Sequence, residues 1–242
     1  MKKVRIWAGS CVVEDRKQAI ETAKFVRDMG CEVYRSKVWG GGTKPPCFWG
    51  LQEKGLEIMQ EISRKIMPVA IEIQAKDHLM LALKYKMDNV WIAARAMQNY
   101  NLLGCKELGK FKRVVLKRGL GNTIDEWEGA ALHLKDRGVG EVVFCERGTA
   151  HFDRNPEVRW RPDMLSLVQV KERGYSSMLD SSHSVGRSEY VAPMSLSAVA
   201  AGAGYLMIET HKGESMSDKR QALDFLRFKD LVKKIRSIEK VL

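Results

Sequence analysis

The chain has 242 residues, of which 45% are hydrophobic and 29% charged, and its formal net charge is +11. This composition is typical of a soluble globular protein, and the length suits one domain of the size of an α/β barrel. No apolar run approaches the roughly 20 residues that span a bilayer, which argues against a transmembrane helix.

The first residues and the cysteines both favour the cytoplasm. The start MKKVRIWAGSCVV has a basic lead and a short apolar stretch, but charge resumes at Glu14 and Asp15, so we interpret it as a first strand and not as a signal peptide. The five cysteines are scattered and form no C-x-x-C pair, which indicates reduced thiols and neither a disulfide framework nor a zinc knuckle. They are Cys11, Cys31, Cys47, Cys105 and Cys145.

Short apolar runs rich in β-branched residues alternate with longer amphipathic stretches along the whole chain. Several of the short runs are almost entirely apolar, as strands that are buried on both faces should be. The predicted strands are Val4–Ala8, Cys31–Lys37, Pro68–Ile73, Asn89–Ala93, Arg113–Lys117, Glu141–Cys145, Tyr175–Asp180 and Gly204–Glu209.

The stretches between the strands predict helices. In the last one, the apolar residues that recur at helical spacing among charged residues are Leu223, Leu226, Leu231, Ile235 and Ile238. Asn122 and Asp218 occupy positions of helix N-caps, and the glycines just past helix ends are Gly30, Gly138 and Gly174.

Eight β-then-α units in this length predict a single-domain (β/α)8 TIM barrel over residues 1–242. A doubly wound open sheet is the second candidate, but eight evenly spaced units favour a closed barrel. In such a barrel the functional site lies at the carboxyl ends of the strands.

Polar and charged side chains follow almost every predicted strand. Because these strand ends meet at one mouth, we expect the residues to share a site. In strand order they are Cys11; Arg35 and Lys37; Glu72; Arg95; Lys117 and Arg118; Glu146 and Arg147; Asp180 and His183; and Glu209 and His211, with Asp218 in the loop after the last strand.

This arrangement predicts a metal site that faces an anion pocket. Closure of the barrel makes the seventh, eighth and first strands neighbours, which groups Cys11, His183, Glu209 and Asp218. A mixed set of sulfur, nitrogen and oxygen ligands suits a divalent transition metal. On the opposite arc, four cations suit phosphate and carboxylate recognition. These are Arg35, Arg95, Lys117 and Arg147.

Each residue also has a simpler interpretation. A single cysteine at a strand end is usually a small buried hydrophobe, and Arg95 or Arg147 can serve as a structural salt-bridge partner. His78 and His133 lie in helical patterns and are interpreted as solvated or core-edge residues, while the aromatic residues Trp127, Phe225 and Phe228 are interpreted as helix-to-barrel packing.

Seven motifs follow one another in order and at barrel spacing: AGSCVVE, AARAMQN, VVLKRG, VVFCERG, DSSHSVGR, IETH and SDKRQAL. Together they closely resemble the 3-deoxy-D-arabino-heptulosonate 7-phosphate synthases of the microbial β subgroup. The related 3-deoxy-D-manno-octulosonate 8-phosphate synthases share several of them. The resemblance covers the chain from Ile6 to the C-terminus.

The resemblance implies a metal-dependent, aldol-type condensation of phosphoenolpyruvate with an aldose phosphate. The metal, which would be manganese, iron, zinc or cobalt, would be held by Cys11, His183, Glu209 and Asp218, and the residues of catalysis would be Cys11, Lys117 and His183. The substrate-binding residues would be Arg35, Lys37, Thr43, Lys44, Arg95, Lys117, Arg118, Glu146 and Arg147.

The resemblance also sets expectations for the whole protein. We expect a cytoplasmic homo-oligomer whose substrates are phosphoenolpyruvate and a sugar-phosphate aldehyde, with no membrane or nucleic-acid partner. The pathway would be aromatic amino acid biosynthesis. Since the first strand begins almost at Met1, we expect a catalytic barrel without an appended regulatory domain.

The chain departs from the family pattern after its second strand. Where the heptulosonate synthases have Lys-Pro-Arg-Thr-Ser, this sequence has Gly40-Gly41-Gly42-Thr43-Lys44, so both family cations are missing and only Thr43 matches. Three interpretations remain open: Lys37 or Lys44 restores the charge, the acceptor differs from erythrose 4-phosphate, or catalysis is weak or lost. A flexible glycine lid with no role in binding is a further possibility.

Two other classes of function compete with the enzyme. A barrel that binds metal and phosphoenolpyruvate without turnover is one. Nucleic-acid binding, suggested by the net charge alone, is the other, and it predicts an affinity that falls steeply with salt.

Overall fold

Eight parallel strands close into a barrel in the computed structural model, which describes residues 3–40, 47–152, 158–213 and 220–242. Each strand pairs with the next along the chain, and β1 also pairs with β8, which closes the sheet. The prediction of a (β/α)8 barrel is therefore confirmed. The strands are β1 (Arg5–Gly9), β2 (Val33–Arg35), β3 (Val69–Ile73), β4 (Asn89–Ile92), β5 (Arg113–Lys117), β6 (Glu141–Glu146), β7 (Ser176–Asp180), β8 (Tyr205–His211) and a two-residue β9 (Leu223–Asp224).

All eight predicted barrel strands are present, and six of them have bounds within one residue of the prediction, whereas the second and the eighth differ by two residues at one end or both. The second is shorter than predicted, because beyond Arg35 the chain keeps only an isolated bridge between Lys37 and Val12. The eighth is longer, because Thr210 and His211 pair with β9, which the sequence did not predict.

Helices connect the strands and cover the outside of the barrel. They are α1 (Arg16–Asp28), α2 (Glu53–Lys65), α3 (Lys76–Lys84), α4 (Tyr100–Leu103), α5 (Ile124–Asp136), α6 (Met164–Glu172), α7 (Ser181–Val185), α8 (Ser188–Ala200) and α9 (Phe225–Ile238). Short 3-10 turns occur at Ala94–Ala96 and Lys106–Lys110.

The predicted helix caps are partly confirmed. Gly30, Gly138 and Gly174 each have a positive φ just past a helix end, as predicted. The predicted N-cap Asn122 is wrong, because α5 is capped by the next residue, Thr123. Thr123 and Glu126 form a reciprocal capping box, which satisfies two backbone N–H groups at once. Asp218 lies outside the described residues.

The last helix buries the predicted Leu231 and Ile235, and the prediction is wrong only for Leu226. Leu223 belongs to β9, and the side chain of Leu226 is 78% exposed. The buried face is formed by Phe228, Leu231, Val232 and Ile235, so the aromatic residue supplies the packing that Leu226 was expected to supply. Phe225 stacks on Phe25 with ring centroids 3.8 Å apart, which confirms its role in packing.

Large apolar side chains fill the inside of the barrel, and an ionic network closes its amino end. The interior cluster contains Trp7, Val33, Ala70, Trp91, Val115, Val143, Cys145, Met178, Tyr205 and Met207. At the amino end Arg113 donates to Glu141 at 2.8 Å and to Glu32 at 3.3 Å. The carboxyl ends of the strands therefore form the mouth of the barrel.

Among the described residues, no helix combines the length and the apolar character that crossing a membrane requires.

Candidate active site

Three side chains from neighbouring strands form a buried cluster at the mouth of the barrel. Cys11 follows β1, His183 lies in the first turn of α7 after β7, and Glu209 lies in β8. One ligand atom of each, a sulfur, a ring nitrogen and a carboxylate oxygen, lies within 4.8 Å of the others. The structure thus brings together three of the four predicted metal ligands. The fourth, Asp218, lies outside the described residues.

The His183 ring is oriented by Asp180, the N-cap residue of α7. Asp180 Oδ1 accepts the backbone N–H of His183 at 3.0 Å, and Oδ2 lies 2.8 Å from His183 Nδ1. Because a carboxylate only accepts, the tautomer with the proton on Nδ1 donates to Asp180, and this is the tautomer that leaves Nε2 able to bind a metal. Nε2 then points to Glu209, whose Oε1 is 3.1 Å away. A carboxylate behind the ring is the usual support of a metal-binding histidine, so these residues fit a transition metal.

Glu209 is held through both carboxylate oxygens. Arg35 donates to Oε1 at 3.0 Å, and the side-chain amide of Gln221 donates to Oε2 at 2.6 Å. The backbone N–H of Glu209 donates to Ser182 Oγ at 2.9 Å. Sequence reasoning did not assign Gln221 to the site, although it lies in the motif SDKRQAL and is almost fully buried.

Arg35 lies between this cluster and the basic side of the mouth. Its side chain is completely buried, and besides Glu209 it donates to the carbonyl of Ser10 at 3.1 Å. Burial lowers its pKa, but the charges of Glu209, Asp180 and Cys11 outweigh burial and raise it. Its Nε and Nη2 have no hydrogen-bond partner in the described part of the chain. Unpaired buried donors of this kind require an acceptor, so Arg35 can bind an anion while it holds Glu209.

Lys117 connects the metal cluster to the basic residues. Its ammonium donates to Asp180 Oδ2 and lies 5.5 Å from the centre of the Trp91 ring. Burial alone would raise the pKa of Asp180, but its interactions with His183, Lys117 and Arg35 outweigh burial and hold the pKa well below its usual value. One buried carboxylate therefore supports both the candidate metal ligand and the candidate substrate-binding ammonium.

Glu72 and Lys37 lie on the neighbouring part of the mouth. Glu72 accepts from Trp91 Nε1 at 2.9 Å and from Gln74 at 2.6 Å. Burial raises its pKa, but the charges of Lys37 and Lys117 outweigh burial and lower it. Lys37 therefore lies close enough to act electrostatically on this edge of the site.

Arg147 and Arg95 add positive charge on the strand 4 and strand 6 side. Arg147 is almost buried, and its guanidinium carbon lies 5.9 Å from the Trp160 ring centre. Burial and the charges of Arg159 and Arg95 lower the pKa of Arg147, while Asp180 opposes them. Guanidinium groups whose positive charges repel one another in this way create a positive potential, and that potential attracts an anion.

Arg118 and Glu146, both predicted to bind substrate, pair with each other. Arg118 Nη1 donates to Glu146 Oε2 and to Asp163, each at 3.0 Å. Glu146 Oε1 also accepts the backbone N–H of Gly148 at 2.6 Å. Burial of Glu146 outweighs these contacts and raises its pKa. Arg118 thus joins the chain after β5 to the end of β6 and to the start of α6, and the part of the pair in substrate binding stays a prediction.

The glycine-rich loop after β2 is closed at its base. The N–H of Gly40 donates to the carbonyl of Trp49 at 2.7 Å, and a Cβ at Gly40 would lie 1.9 Å from the carbonyl oxygen of Phe48. Gly50 has φ +78°, and a Cβ there would lie 2.2 Å from the carbonyl oxygen of Val38. These glycines therefore serve close backbone packing. Thr43 and Lys44, predicted to bind substrate, lie outside the described residues.

Of the residues that were expected to have no role in the site, His133 and Trp127 lie away from it, while His78 lies near Glu72 at its edge. His78 stacks on Trp39 with ring centroids 3.9 Å apart, and His133 lies beside Tyr100 on the outer helices. Trp127 is buried against Phe144, as predicted for a packing residue.

Comparison with known proteins identifies relatives along the whole chain. The sequence model of the DAHP synthetase I family matches residues 2–241. The chain is 36% identical over 237 residues to a phospho-2-dehydro-3-deoxyheptonate aldolase of Thermotoga maritima, which covers 96% of this chain and 69% of the relative. It is 30% identical over 262 residues to a 2-dehydro-3-deoxyphosphooctonate aldolase of Cupriavidus taiwanensis, covering 96% of this chain and 88% of the relative.

Solved structures agree with the sequence comparisons. The crystal structure of the Thermotoga maritima phospho-2-dehydro-3-deoxyheptonate aldolase superposes with a TM-score of 0.92 at 35% identity, covering 99% of this chain and 70% of that chain. A truncated form of 3-deoxy-D-arabino-heptulosonate 7-phosphate synthase from the same organism gives a TM-score of 0.88 at 33% identity, covering 99% of this chain and 87% of that chain.

Proposed function

This chain belongs to the DAHP synthetase I family, and from that premise we propose that it condenses phosphoenolpyruvate with an aldose phosphate and releases inorganic phosphate. The product is a 3-deoxy-2-keto sugar acid that keeps the phosphate of the acceptor. The observation that carries the proposal is the buried Cys11–His183–Glu209 cluster, which lies beside the cations Arg35 and Lys117.

The proposed reaction forms one carbon–carbon bond and breaks one carbon–oxygen bond. C3 of phosphoenolpyruvate attacks the aldehyde carbon, and the aldehyde oxygen takes up a proton and becomes a hydroxyl. Water adds at C2, and the C2–O bond to phosphate then breaks, leaving the ketone. No oxidant or reductant is needed, because the water and the two substrates account for every atom of the products.

Cys11, His183 and Glu209 would hold a divalent metal, which would supply Lewis-acid polarisation of the aldehyde carbonyl. The set of sulfur, nitrogen and oxygen donors supports manganese, iron, cobalt or zinc. Asp218 is proposed as a further ligand.

The cations of the mouth hold phosphoenolpyruvate. We assign its carboxylate and phosphate to Arg35, Arg95, Lys117 and Arg147, because fixed guanidinium and ammonium groups stabilise the charge that develops during the reaction. Lys117 also lies on the carboxylate that orients His183, so its ammonium is suited to donate the proton to the aldehyde oxygen. Substrate-binding roles for Lys37, Thr43, Lys44, Arg118 and Glu146 stay predictions.

Several expectations about the whole protein also stay predictions. They are the cytoplasmic location, the homo-oligomer, the role in aromatic amino acid biosynthesis, and a catalytic domain over residues 1–242 with no regulatory domain.

Phosphate release tests the proposal directly. The protein is incubated with manganese, phosphoenolpyruvate and each of a panel of C3 to C6 aldoses and aldose phosphates, with a chelator as the control. We expect phosphate release that depends on an acceptor and stops when the chelator is added. A Cys11→Ala variant should lose both manganese binding and phosphate release.

The outcomes separate the remaining alternatives. Turnover with erythrose 4-phosphate means that the chain holds the usual acceptor without the family cations of the β2 loop. Turnover only with another sugar makes that loop a determinant of specificity. Binding of manganese and phosphoenolpyruvate without any phosphate release would contradict the enzyme and leave a binding protein.

A further inference from the structure

A tryptophan of the fourth strand lies beneath the cations of the mouth. Trp91 belongs to β4, its side chain is completely buried, and it is part of the cluster that fills the inside of the barrel. It pairs in register with Glu72 of β3 and with Val115 of β5. Lys117 lies two residues beyond Val115, so it is on the same face of β5 and one layer nearer the mouth. The indole thus forms part of the floor of the site.

Two cations from different strands lie close to this indole. The guanidinium carbon of Arg35 is 4.8 Å from the centre of the Trp91 ring, and the ammonium nitrogen of Lys117 is 5.5 Å from it. Both distances are within the range of about 6 Å over which an aromatic ring attracts a cation. All three side chains are buried, and the attraction is stronger where water is excluded. The ring therefore helps to fix both cations.

The indole itself is held by its edge. Its Nε1 donates to Glu72 Oε2 at 2.9 Å, and the other oxygen of Glu72 accepts from the side-chain amide of Gln74 at 2.6 Å. An indole N–H lies in the plane of the ring, so this bond leaves the electron-rich faces of the ring to the cations.

Arg35 keeps donors for a ligand while it lies at the ring. Its Nη1 donates to Glu209 and to the carbonyl of Ser10, whereas its Nε and Nη2 are buried and have no partner among the described residues. The attraction to the Trp91 ring requires no N–H group, so these two donors remain for an anion. An anion that enters the mouth would therefore meet a guanidinium that is already fixed.

Trp91 is a contact that the two cations share. Each of them also has a carboxylate partner beside the metal cluster, Glu209 for Arg35 and Asp180 for Lys117. Long basic side chains lose rotamer freedom when they bind a ligand, and fixing them beforehand lowers that cost. The ring supplies this fixation without neutralising either charge.

We propose that Trp91 is a positioning residue, whose ring holds Arg35 and Lys117 in place for the anionic groups of phosphoenolpyruvate. The inference rests on the proposed function for the identity of the anion. Trp91 acts through the two cations and takes no part in the bonds that form and break.

The test compares Trp91 with Trp7, a matched residue at the amino end of the barrel. The Trp7 ring is also completely buried in the interior cluster, its Nε1 donates to Glu32 at 3.1 Å, and the guanidinium carbon of Arg113 is 5.7 Å from its centre. Each tryptophan is replaced by phenylalanine, which keeps a ring but no indole N–H, and by leucine, which keeps neither.

Phosphoenolpyruvate is titrated calorimetrically into each protein with manganese present and without an acceptor. Trp91→Leu should bind it about tenfold or more weakly than the wild type. Trp91→Phe should stay within about threefold of the wild type, because a phenyl ring still attracts cations. Both Trp7 variants should stay within about twofold, because they are distant from the mouth.

Manganese titrated alone separates positioning from general damage. The cluster keeps its own supports, Gln221 on Glu209 and Asp180 on His183. Manganese affinity should therefore stay within about threefold of the wild type in all four variants.

A second measurement covers a Trp91→Leu variant that does not fold. The wild type and Trp91→Phe are produced with 5-fluorotryptophan, whose fluorine withdraws electrons from the ring face and hardly changes its shape. Fluorination should weaken phosphoenolpyruvate binding to the wild type about twofold and leave binding to Trp91→Phe unchanged. The same effect in both proteins, or no effect in either, overturns the inference.

Three results with the leucine and phenylalanine variants also overturn it. Equal phosphoenolpyruvate affinity of Trp91→Leu and Trp7→Leu would show that the ring does not position the cations. Equal losses in Trp91→Phe and Trp91→Leu would assign the effect to the bond with Glu72 and not to the ring. Parallel losses of manganese and phosphoenolpyruvate affinity in Trp91→Leu would indicate a general disturbance of the mouth.

The proposed function can fail separately from this inference. A wild type that binds phosphoenolpyruvate but releases no phosphate contradicts the enzyme, and the comparison of Trp91 with Trp7 still decides on the ring. An active wild type whose Trp91→Leu variant binds phosphoenolpyruvate equally well overturns the inference alone. A wild type without affinity for phosphoenolpyruvate overturns both.

Discussion

At the scale of single residues, Asp180 has the largest influence on the site. One carboxylate orients the His183 ring, accepts the Lys117 ammonium and caps α7. A change in this side chain therefore affects the candidate metal site and the phosphoenolpyruvate site together. Partners that orient a metal ligand typically affect metal affinity by about 10-fold to 100-fold.

We expect Asp180→Asn to weaken manganese binding by about 10-fold to 100-fold, because an amide does not provide the charge that holds the His183 ring. Calorimetric titration with manganese measures this. Asp163→Asn is the matched control, since Asp163 also caps a helix and also pairs with a basic residue, Arg118, but does not contact His183. Wild-type manganese affinity in Asp180→Asn would contradict the role of Asp180.

At the scale of elements, the loop after β2 is held by backbone hydrogen bonds at its base. The loop after β2 is closed by the bond between Gly40 and Trp49 and by the N–H of Gln52, which donates to the carbonyl of Val38 at 2.8 Å. Gly50 lies at this closure with a left-handed backbone, and a Cβ there would overlap the Val38 carbonyl. The run of glycines that stands in place of the family motif therefore has, at Gly40, a reason in backbone packing.

Gly50→Ala should lower the free energy of unfolding by about 1–3 kcal/mol. Alanine is strained in the left-handed backbone conformation of this position, and its Cβ would overlap the carbonyl oxygen of Val38. Urea unfolding measures the change. Gly129→Ala is the control, for which we expect the free energy of unfolding to rise. An added Cβ at Gly129 in α5 would meet nothing within 4 Å, so this variant should gain about 0.5–1 kcal/mol. Equal stability of Gly50→Ala and the wild type would rule out the strain.

At the scale of the whole molecule, the two ends of the barrel differ in how their charged side chains are used. The carboxyl end gathers cations around the candidate active site, while the amino end is closed by ion pairs among Arg113, Glu141 and Glu32. Glu141 also accepts from Ser176 and Tyr205, each at 2.8 Å. The ion pairs of the amino end thus contribute to stability, whereas the candidate active site lies at the carboxyl end.

The Glu141 network should make stability depend on pH. Burial raises the pKa of Glu141, but the bonds from Arg113, Ser176 and Tyr205 outweigh burial and lower it. A lowered pKa stabilises the fold above the unfolded-state value of about 4.3, and this contribution is lost as the pH falls through the folded-state value.

Glu141→Gln should therefore cost about 1–3 kcal/mol at pH 7, and the difference from the wild type should shrink in acid. Thermal unfolding at a series of pH values measures this, with the exposed Glu57→Gln on α2 as the control. A difference that stays constant down to low pH would contradict the ionic role of Glu141.

The sequence alone was sufficient to predict the barrel and the group of residues at its mouth. Apolar runs indicate which segments are buried strands. In a closed parallel barrel, the order of the strands is then enough to place Cys11, His183 and Glu209 side by side. The same reasoning predicted every barrel strand, although not β9. That strand depends on a pairing of two residues that carries almost no sequence signal.

Only the tertiary structure decided which of these side chains contact one another. Arg118 pairs with Glu146, Asp180 joins His183 to Lys117, and Gln221 connects Glu209 to a loop that arrives from beyond β6. Such contacts depend on side-chain rotamers and on loops from distant parts of the chain. Periodicity predicts which residues reach the mouth of the barrel, but it contains no information about the partners that they find there.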